Sequence, residues 1–305
     1  MSNALETTRL SKRYGRTWAL QDCTLALPAG RVAALVGPNG AGKTTLLHLS
    51  VGLLEPTAGN VQVFGCSPLR QPTEALPHIG FVAQDTPLYK GFTVAELLTL
   101  GRKLNPRWDD GLARARMQKL GIPLERRAGK LSGGQQAQVA LVLALAKRPD
   151  LLLLDEPLAS LDPLARREFL RTLLDAVAES GLTVLLSSHI IGDLERVCDY
   201  LIILSASHVQ LAGDIQEIAK THKRLIGPRQ DEVAVASVHT VIEASHTDRQ
   251  TTLLVRAHGP LFDPSWEVQG VSMEDIVLAY LSQQAGARLP APPSAREQNG
   301  IEVLK

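Results

Sequence analysis

The feature that most constrains this chain is the run Gly37-Pro38-Asn39-Gly40-Ala41-Gly42-Lys43-Thr44-Thr45, entered from the apolar stretch Val32-Ala33-Ala34-Leu35-Val36. A strand, a glycine-rich turn and a following helix are the setting of a phosphate-binding loop. Glycines at 37, 40 and 42 let the backbone turn tightly and bring several N–H groups to one anion, and the positive end of the next helix adds to the attraction. Lys43 then reaches the outer phosphates and the Thr44 hydroxyl can ligate magnesium. The loop alone points to a nucleoside triphosphate, with a plain glycine turn as the alternative until the rest of the chain is read.

Composition bounds the partners. With 305 residues and 45% apolar content the chain has room for one main domain and an appendage, each with a core. Lysine and arginine total 32 against 31 acids, so a net charge of +1 offers no global pull toward nucleic acid or anionic lipid. No run approaches the ~18 consecutive apolar residues of a membrane span. The opening Met1-Ser2-Asn3-Ala4-Leu5-Glu6 lacks the basic-then-apolar layout of a signal peptide, so a cytosolic location is expected. Cys23, Cys66 and Cys198 are odd in number and in no CxxC pair, which argues for reduced, packed thiols over a disulfide framework or a zinc site.

Hydrophobic patterning gives the layout. Residues 17–30 lead through Leu27-Pro28-Ala29-Gly30 into the loop strand, and a turn at 55–60 opens a short strand at 61–65, so two small strands are expected to flank the nucleotide strand. Residues 79–84 form another short apolar run, and 93–120 read as helical, broken at Asn105-Pro106. Beyond Ser132-Gly133-Gly134 a long apolar helix follows, then the apolar strands 151–154 and 182–187 around a helix at 166–178. Continuous apolar strands alternating with helices predict an α/β core built on a parallel sheet covered on both faces. Past Gly213-Asp214 a polar stretch (220–232) precedes alternating segments at 233–242 and 251–255 and an amphipathic segment at 273–281. The predicted division is 1–219 for the main domain, with a helical insertion at about 86–135, then 220–284 for a small mixed appendage. From 285 to 305 Pro and Gly dominate, and a disordered tail is expected.

Two further motifs bear on chemistry. Leu151-Leu152-Leu153-Leu154-Asp155-Glu156-Pro157 places one acid at the end of a buried strand, suited to hold magnesium through water, and a second beside it, Glu156, suited to act as general base. Leu131-Ser132-Gly133-Gly134-Gln135 begins a helix with a serine and two glycines, a second phosphate site in the same chain. Two such sites in one monomer suggest two chains sharing nucleotides.

The phosphate loop, residues 131–135 and residues 151–157, in that order, resemble the ATPase subunit of an ATP-binding-cassette (ABC) transporter, over about residues 5–213. The resemblance implies a P-loop NTPase core with a parallel sheet, an N-terminal antiparallel β region, a helical insertion carrying the signature Leu131 to Gln135, and a C-terminal appendage. It implies ATP and Mg2+ as cofactors, with Gly37, Pro38, Asn39, Gly40, Ala41, Gly42, Lys43, Thr44 and Thr45 on the phosphates and Thr44, Gln84 and Asp155 on the metal. Tyr14 is similar to the residue that stacks on adenine. Gln84 is similar to the glutamine that touches magnesium or the attacking water, and His189 to the histidine that contacts the γ-phosphate and orients Glu156. Asp162, in Ser160-Leu161-Asp162-Pro163, is similar to the aspartate that communicates between two sites. In the family two cassettes pair head to tail, so Ser132, Gly133, Gly134 and Gln135 of one chain complete the site of the other. A second ABC ATPase chain, in a homodimer or a heterodimer, and a separately encoded integral membrane permease are the implied partners, with the chain peripheral on the inner face of the cell membrane.

Two departures stand out. Gln136-Ala137-Gln138 replaces a stretch where relatives commonly carry arginines or lysines, and Ser205-Ala206-Ser207-His208 stands where a charged residue and glycine often make a hairpin turn. The segment Lys103-Leu104-Asn105-Pro106-Arg107-Trp108-Asp109 and the C-terminal Val271-Ser272-Met273-Glu274-Asp275-Ile276 resemble ATPases serving exporter-type (ABC-2) permeases. Trp108 is open between a permease contact and an anchor of the insertion. A soluble, non-transport ABC ATPase acting in translation or on DNA is the alternative; against it stand the absence of heptads, of CxxC pairs and of a second cassette, and no nucleic acid is expected as partner.

Overall fold

Short apolar strands alternating with capped helices set the layout of the computed structural model, which describes residues 2–86, 88–188, 191–228, 232–259 and 265–282. The chain divides into two compact units, Met1–Val209 and Gln210–Lys305.

The first unit opens with β1 (Asn3–Tyr14), β2 (Thr17–Pro28), β3 (Val32–Val36), α1 (Lys43–Ser50) and β4 (Ala58–Val63). A short α2 (Pro72–Ala75) leads to β5 (Ile79–Val82), then come α3 (Val94–Leu104), α4 (Asp110–Lys119), α5 (Gly133–Ala146) and β6 (Leu151–Leu154). The unit continues with α6 (Pro163–Ser180), β7 (Thr183–Ser188), α7 (Ile191–Leu194) and β8 (Tyr200–Ser205), and β9 (His208–Asp214) runs on into the second unit. The large sheet has the order β5-β6-β7-β3-β8-β9, and its pairs from β5 to β8 are parallel. Every residue of β3, β6 and β7 is buried, which is why β3 and β6 read as unbroken apolar runs and β7 carries an apolar centre, Val184 to Leu186.

The expectation that small strands flank the nucleotide strand is corrected. β2, β1 and β4 make a separate antiparallel sheet, and the neighbours of β3 are β7 and β8. Mixed burial along β1 and β2 suits a sheet wet on one side, whereas β3 needs apolar partners on both edges and both faces.

Side-chain caps start α3 to α6. Thr93 and Glu96 form a capping box on α3, Asp109 caps α4, Ser132 and Gln135 form a second box on α5, and Asp162 precedes Pro163 on α6. Within the insertion, Val94, Leu97, Met117, Ile122, Leu131 and Val142 share one core, and Trp108 packs against it. A Cβ at Gly101 would lie 2.5 Å from the Trp108 ring, so the indole is seated on the backbone of α3. Of the two roles left open for Trp108, the packing is that of an anchor.

In the second unit α8 (Ile215–Thr221), β10 (His222–Pro228), α9 (Glu232–Val238), β11 (Thr240–His246), β12 (Gln250–Arg256), β13 (Glu267–Gln269) and α10 (Met273–Ser282) follow β9. Its sheet, β11-β12-β10-β13, is antiparallel throughout, and β12 lies between two strands joined through α9, a split β-α-β arrangement. Leu225, Val235, Leu253, Val255 and Trp266 form its core. The polar stretch expected at 220–232 holds the central strand β10, because Leu225 faces that core and His222 is buried against Tyr280. The strand expected at 233–242 is instead α9 followed by β11; a run of Val, Ala and Ser fits either period, and Val235 enters the core from a helix. The tail from 285 lies outside the described residues. Among the described residues, no helix is long and apolar enough to cross a membrane.

Candidate functional site

The loop at 37–42 leaves β3 at its carboxyl end, where ligands of open α/β sheets bind. Close approach dictates two of its glycines. A Cβ at Gly37 would lie 2.2 Å from the Leu204 carbonyl oxygen, and Gly42, at φ 106°, would bring one to 2.3 Å from the oxygen of Ala19. Gly42 is the N-cap of α1 and supplies no side-chain oxygen, so no cap side chain competes with an anion for the N–H groups of the first turn.

Lys43 is 5% exposed and turned back over this loop. Its Nζ donates to the carbonyls of Gly37 at 2.8 Å and Pro38 at 3.3 Å, and lies 3.1 Å from Glu156 Oε1. Glu156 follows β6 in the left-handed region, at φ 44°. Its N–H donates to Ser187 Oγ (2.8 Å), and the Ser187 hydroxyl donates to Asp155 Oδ1 (2.9 Å). The Asp155 N–H donates in turn to Val82 O at 2.9 Å, so the ends of β5, β6 and β7 are tied together beside α1. Arg166 Nε donates to the carbonyls of Leu158 and Leu161, closing the turn that follows the two acids.

Of the residues singled out in sequence, the structure thus brings together the loop, Lys43, Asp155 and Glu156. Thr44 and Thr45 sit half-buried in the first turn of α1, and Gln84 is exposed in the turn after β5. Tyr14 ends β1, 49% exposed, with the Lys12 ammonium 5.3 Å from the centroid of its ring. Ser132, Gly133, Gly134 and Gln135 stand on a different element: the hydrogen bonds of Ser132 close its capping box, and Gly134 abuts Ala165 of α6. The Asp162 carboxylate accepts from the N–H groups of Leu164 and Ala165. His189 lies outside the described residues. Ser187 carries no role in the sequence reading, because its meaning depends on β7 lying next to β6.

The oxygen donors here fit magnesium. Thr44 offers a hydroxyl and Asp155 a carboxylate that is 1% exposed, hard ligands of the kind Mg2+ takes alongside phosphate oxygens. Among the described residues no group of three or more His, Cys, Asp or Glu could hold a metal ion, so such an ion would draw ligands from a bound nucleotide.

With this geometry in hand, likeness to known proteins is specific. A family profile described as ABC transporter matches residues 20–159. The aliphatic sulfonates import ATP-binding protein SsuB of Shigella flexneri serotype 5b is 35% identical over 254 residues, 82% of this chain and 94% of that protein. The sulfate/thiosulfate import ATP-binding protein CysA of Yersinia pseudotuberculosis is 35% identical over 224 residues; the match takes in 70% of this chain but only 61% of CysA's length. Among solved structures, the dimeric structure of MJ0796, a bacterial ABC transporter cassette, superposes with a TM-score of 0.62 at 25% identity, over 69% of this chain and 98% of that one.

Proposed function

This chain belongs to the ABC transporter ATP-binding family, and from that premise we propose that it binds and hydrolyses Mg-ATP to drive a separate membrane permease. The observation that carries the reading is Lys43, held at the carboxyl ends of the central strands, 3.1 Å from Glu156 and folded over the carbonyls of its own loop. Residues 37–45 hold the phosphates, with Lys43 leaving Gly37 and Pro38 for the outer phosphate oxygens. Thr44, Asp155 and Gln84 would hold magnesium, which when bound would supply charge neutralisation at those oxygens. Glu156 takes a proton from the attacking water, His189 contacts the γ-phosphate, and Tyr14 stacks on the adenine.

Ser132, Gly133, Gly134 and Gln135 act on the nucleotide of a second chain, with Asp162 between the two sites. The dimeric MJ0796 cassette supports that arrangement. Peripheral attachment to the inner face of the cell membrane through the permease follows from the same reading. For direction, the resemblance of residues 103–109 and 271–276 to exporter-type ATPases favours export through an ABC-2 permease, whereas SsuB and CysA are named for import. We take export as the finer proposal, and vesicle transport with the co-purified permease decides it.

The test of the core reading is direct. Purified chain should hydrolyse Mg-ATP slowly on its own, and Glu156→Gln should keep ATP bound while turnover disappears. A Glu156→Gln protein working at the parental rate removes Glu156 from its role.

A further inference from the structure

We propose that Ser187 is a positioning residue of the hydrolytic site, its hydroxyl fixing Asp155 and Glu156 relative to each other; this rests on the ATPase reading above. In the parallel pairing of β6 and β7, Leu154 lies opposite Leu186, so Asp155, one residue past β6, comes beside Ser187, which is still paired with Leu35 of β3. Ser187 is 0% exposed, out of reach of bulk water. Its Oγ lies 2.8 Å from the Glu156 nitrogen and 2.9 Å from Asp155 Oδ1. A backbone N–H can only donate and the serine carries one proton, so that proton belongs to the bond with Asp155. One hydroxyl therefore accepts from the N–H of Glu156 and donates to the carboxylate of Asp155, the two residues that follow β6.

The backbone shows why such a clamp is needed. At φ 44° Glu156 occupies a region that side chains with a Cβ rarely adopt, held only where the surroundings over-determine it. The bond from its N–H to Ser187 is such a constraint, and the turn it holds carries the carboxylate to 3.1 Å from Lys43. On the other side of the hydroxyl, one oxygen of Asp155 is engaged, which stops the carboxylate from rotating away from the loop. A single buried group thus orients the acid assigned to the water and the acid assigned to the metal.

The matched pair Ser187→Thr and Ser187→Val in the full-length chain isolates the hydroxyl, since the two side chains share shape and differ in that group. Measured quantities are kcat and KM for Mg-ATP, the Mg2+ midpoint for binding a fluorescent ATP analogue, and the melting temperature. Ser187→Thr should retain most of the turnover. Ser187→Val should lose roughly 10- to 100-fold in kcat, the range expected when reacting groups are slightly misplaced, with KM changed less than about threefold. Its Mg2+ midpoint should rise by about fivefold, a shift that lost folding stability alone does not produce. If Ser187→Val misfolds, Ser187→Ala is read against Ser187→Thr in the same way.

Equal kcat and equal Mg2+ midpoints in the two variants overturn the proposal, as does a fall in melting temperature as their sole difference. Glu156→Gln, run in parallel, separates this failure from that of the ATPase reading. If Glu156→Gln is inactive while the Thr and Val variants agree, the role of Ser187 alone fails. If Glu156→Gln turns over normally, the ATPase assignment of Glu156 fails, and the Mg2+ midpoints of the matched pair still decide whether the hydroxyl orients Asp155.

Discussion

Lys43 Nζ and Glu156 Oε1 stand 3.1 Å apart with side chains 5% and 9% exposed, so each neutralises the other in a nearly dry site before any phosphate arrives. A nucleotide entering the loop must take Lys43 from a partner it already has, and doing so releases Glu156 for other work. Removing one member of a buried pair leaves the other uncompensated, which costs about 3–5 kcal/mol. Lys43→Ala should therefore destabilise the nucleotide-free protein by about that much in urea unfolding, and adding Glu156→Gln to it should recover part of the loss. Glu156→Gln alone leaves Lys43 with the carbonyls of Gly37 and Pro38, and should bind ATP more tightly than the parent in equilibrium titration.

The hairpin turn after β8 is made by Ala206 at φ 48° and Ser207 at φ 66°, both left-handed and neither glycine. Turns of this shape favour Asn and Gly. Ser207 has compensation, since its hydroxyl donates to Trp18 O and its carbonyl accepts from the Gln21 N–H, but exposed Ala206 gains nothing comparable from its methyl group. Ala206→Asn should raise stability by about 0.5–1 kcal/mol by thermal melting without altering nucleotide affinity.

Gln138 is 4% exposed on α5, and neither polar atom of its amide has a hydrogen-bond partner among the described residues. By contrast Gln136 donates to Leu131 O at the start of the same helix. Burying an unpaired amide costs about 1–3 kcal/mol. Gln138→Met, close in volume, should gain stability of that order by chemical denaturation, and an unchanged or lower midpoint would show that the amide has a partner in solution.

In the second unit His222 is buried, with Nδ1 2.8 Å from Ile218 O and Nε2 3.0 Å from the Tyr280 hydroxyl. Neutral imidazole satisfies both contacts: Nδ1–H donates to the carbonyl and Nε2 accepts from the phenol. Burial lowers the pKa of His222 below its usual 6.5, and pushes that of Tyr280 up to about 12. The unfolded chain then binds the proton more readily, so the contribution of this ring to stability is complete above about pH 6.5 and declines as pH falls toward the lowered folded-state value. Hydrogen exchange of β10 and β12, corrected for intrinsic rates, should accelerate between pH 7 and 5.5. The double variant His222→Leu with Tyr280→Phe should lose most of that dependence.

Burial pushes the Cys23 thiol up to about 11 and that of Cys198 to about 12, while Cys66 is half-exposed. Only thiolate reacts quickly with maleimides or iodoacetamide. At pH 8 the folded protein should therefore be labelled at Cys66 ahead of the other two, as peptide mass spectrometry would show.

How much of this was legible beforehand depended on how local the signal was. Leu151–Leu154 and residues 32–36 announce buried parallel strands because no polar residue interrupts them, and Ser132 with Gln135 announces a helix start because the capping box is complete within four residues. Lys43 and Glu156 were each identifiable by type and spacing, yet their direct pairing depends on α1 and β6 meeting in three dimensions. Ser187 was passed over for the same reason, since the adjacency of β6 and β7 is a property of sheet order. β10 was missed because His222, Lys223 and Arg224 look like a solvated turn until Tyr280 and Asp275, more than fifty positions later, supply the partners of His222 and Arg224.

The hydrogen bond from the Asp155 N–H to Val82 O makes the edge of the sheet a short lever. Val82 ends β5, and the exposed turn bearing Gln84 begins two residues further on. A push on that turn from outside the protein has one stiff strand end and one bond to cross before it reaches the acid beside the phosphate loop. Mechanical load at the surface and charge at the centre are therefore separated by the span of a few peptide units.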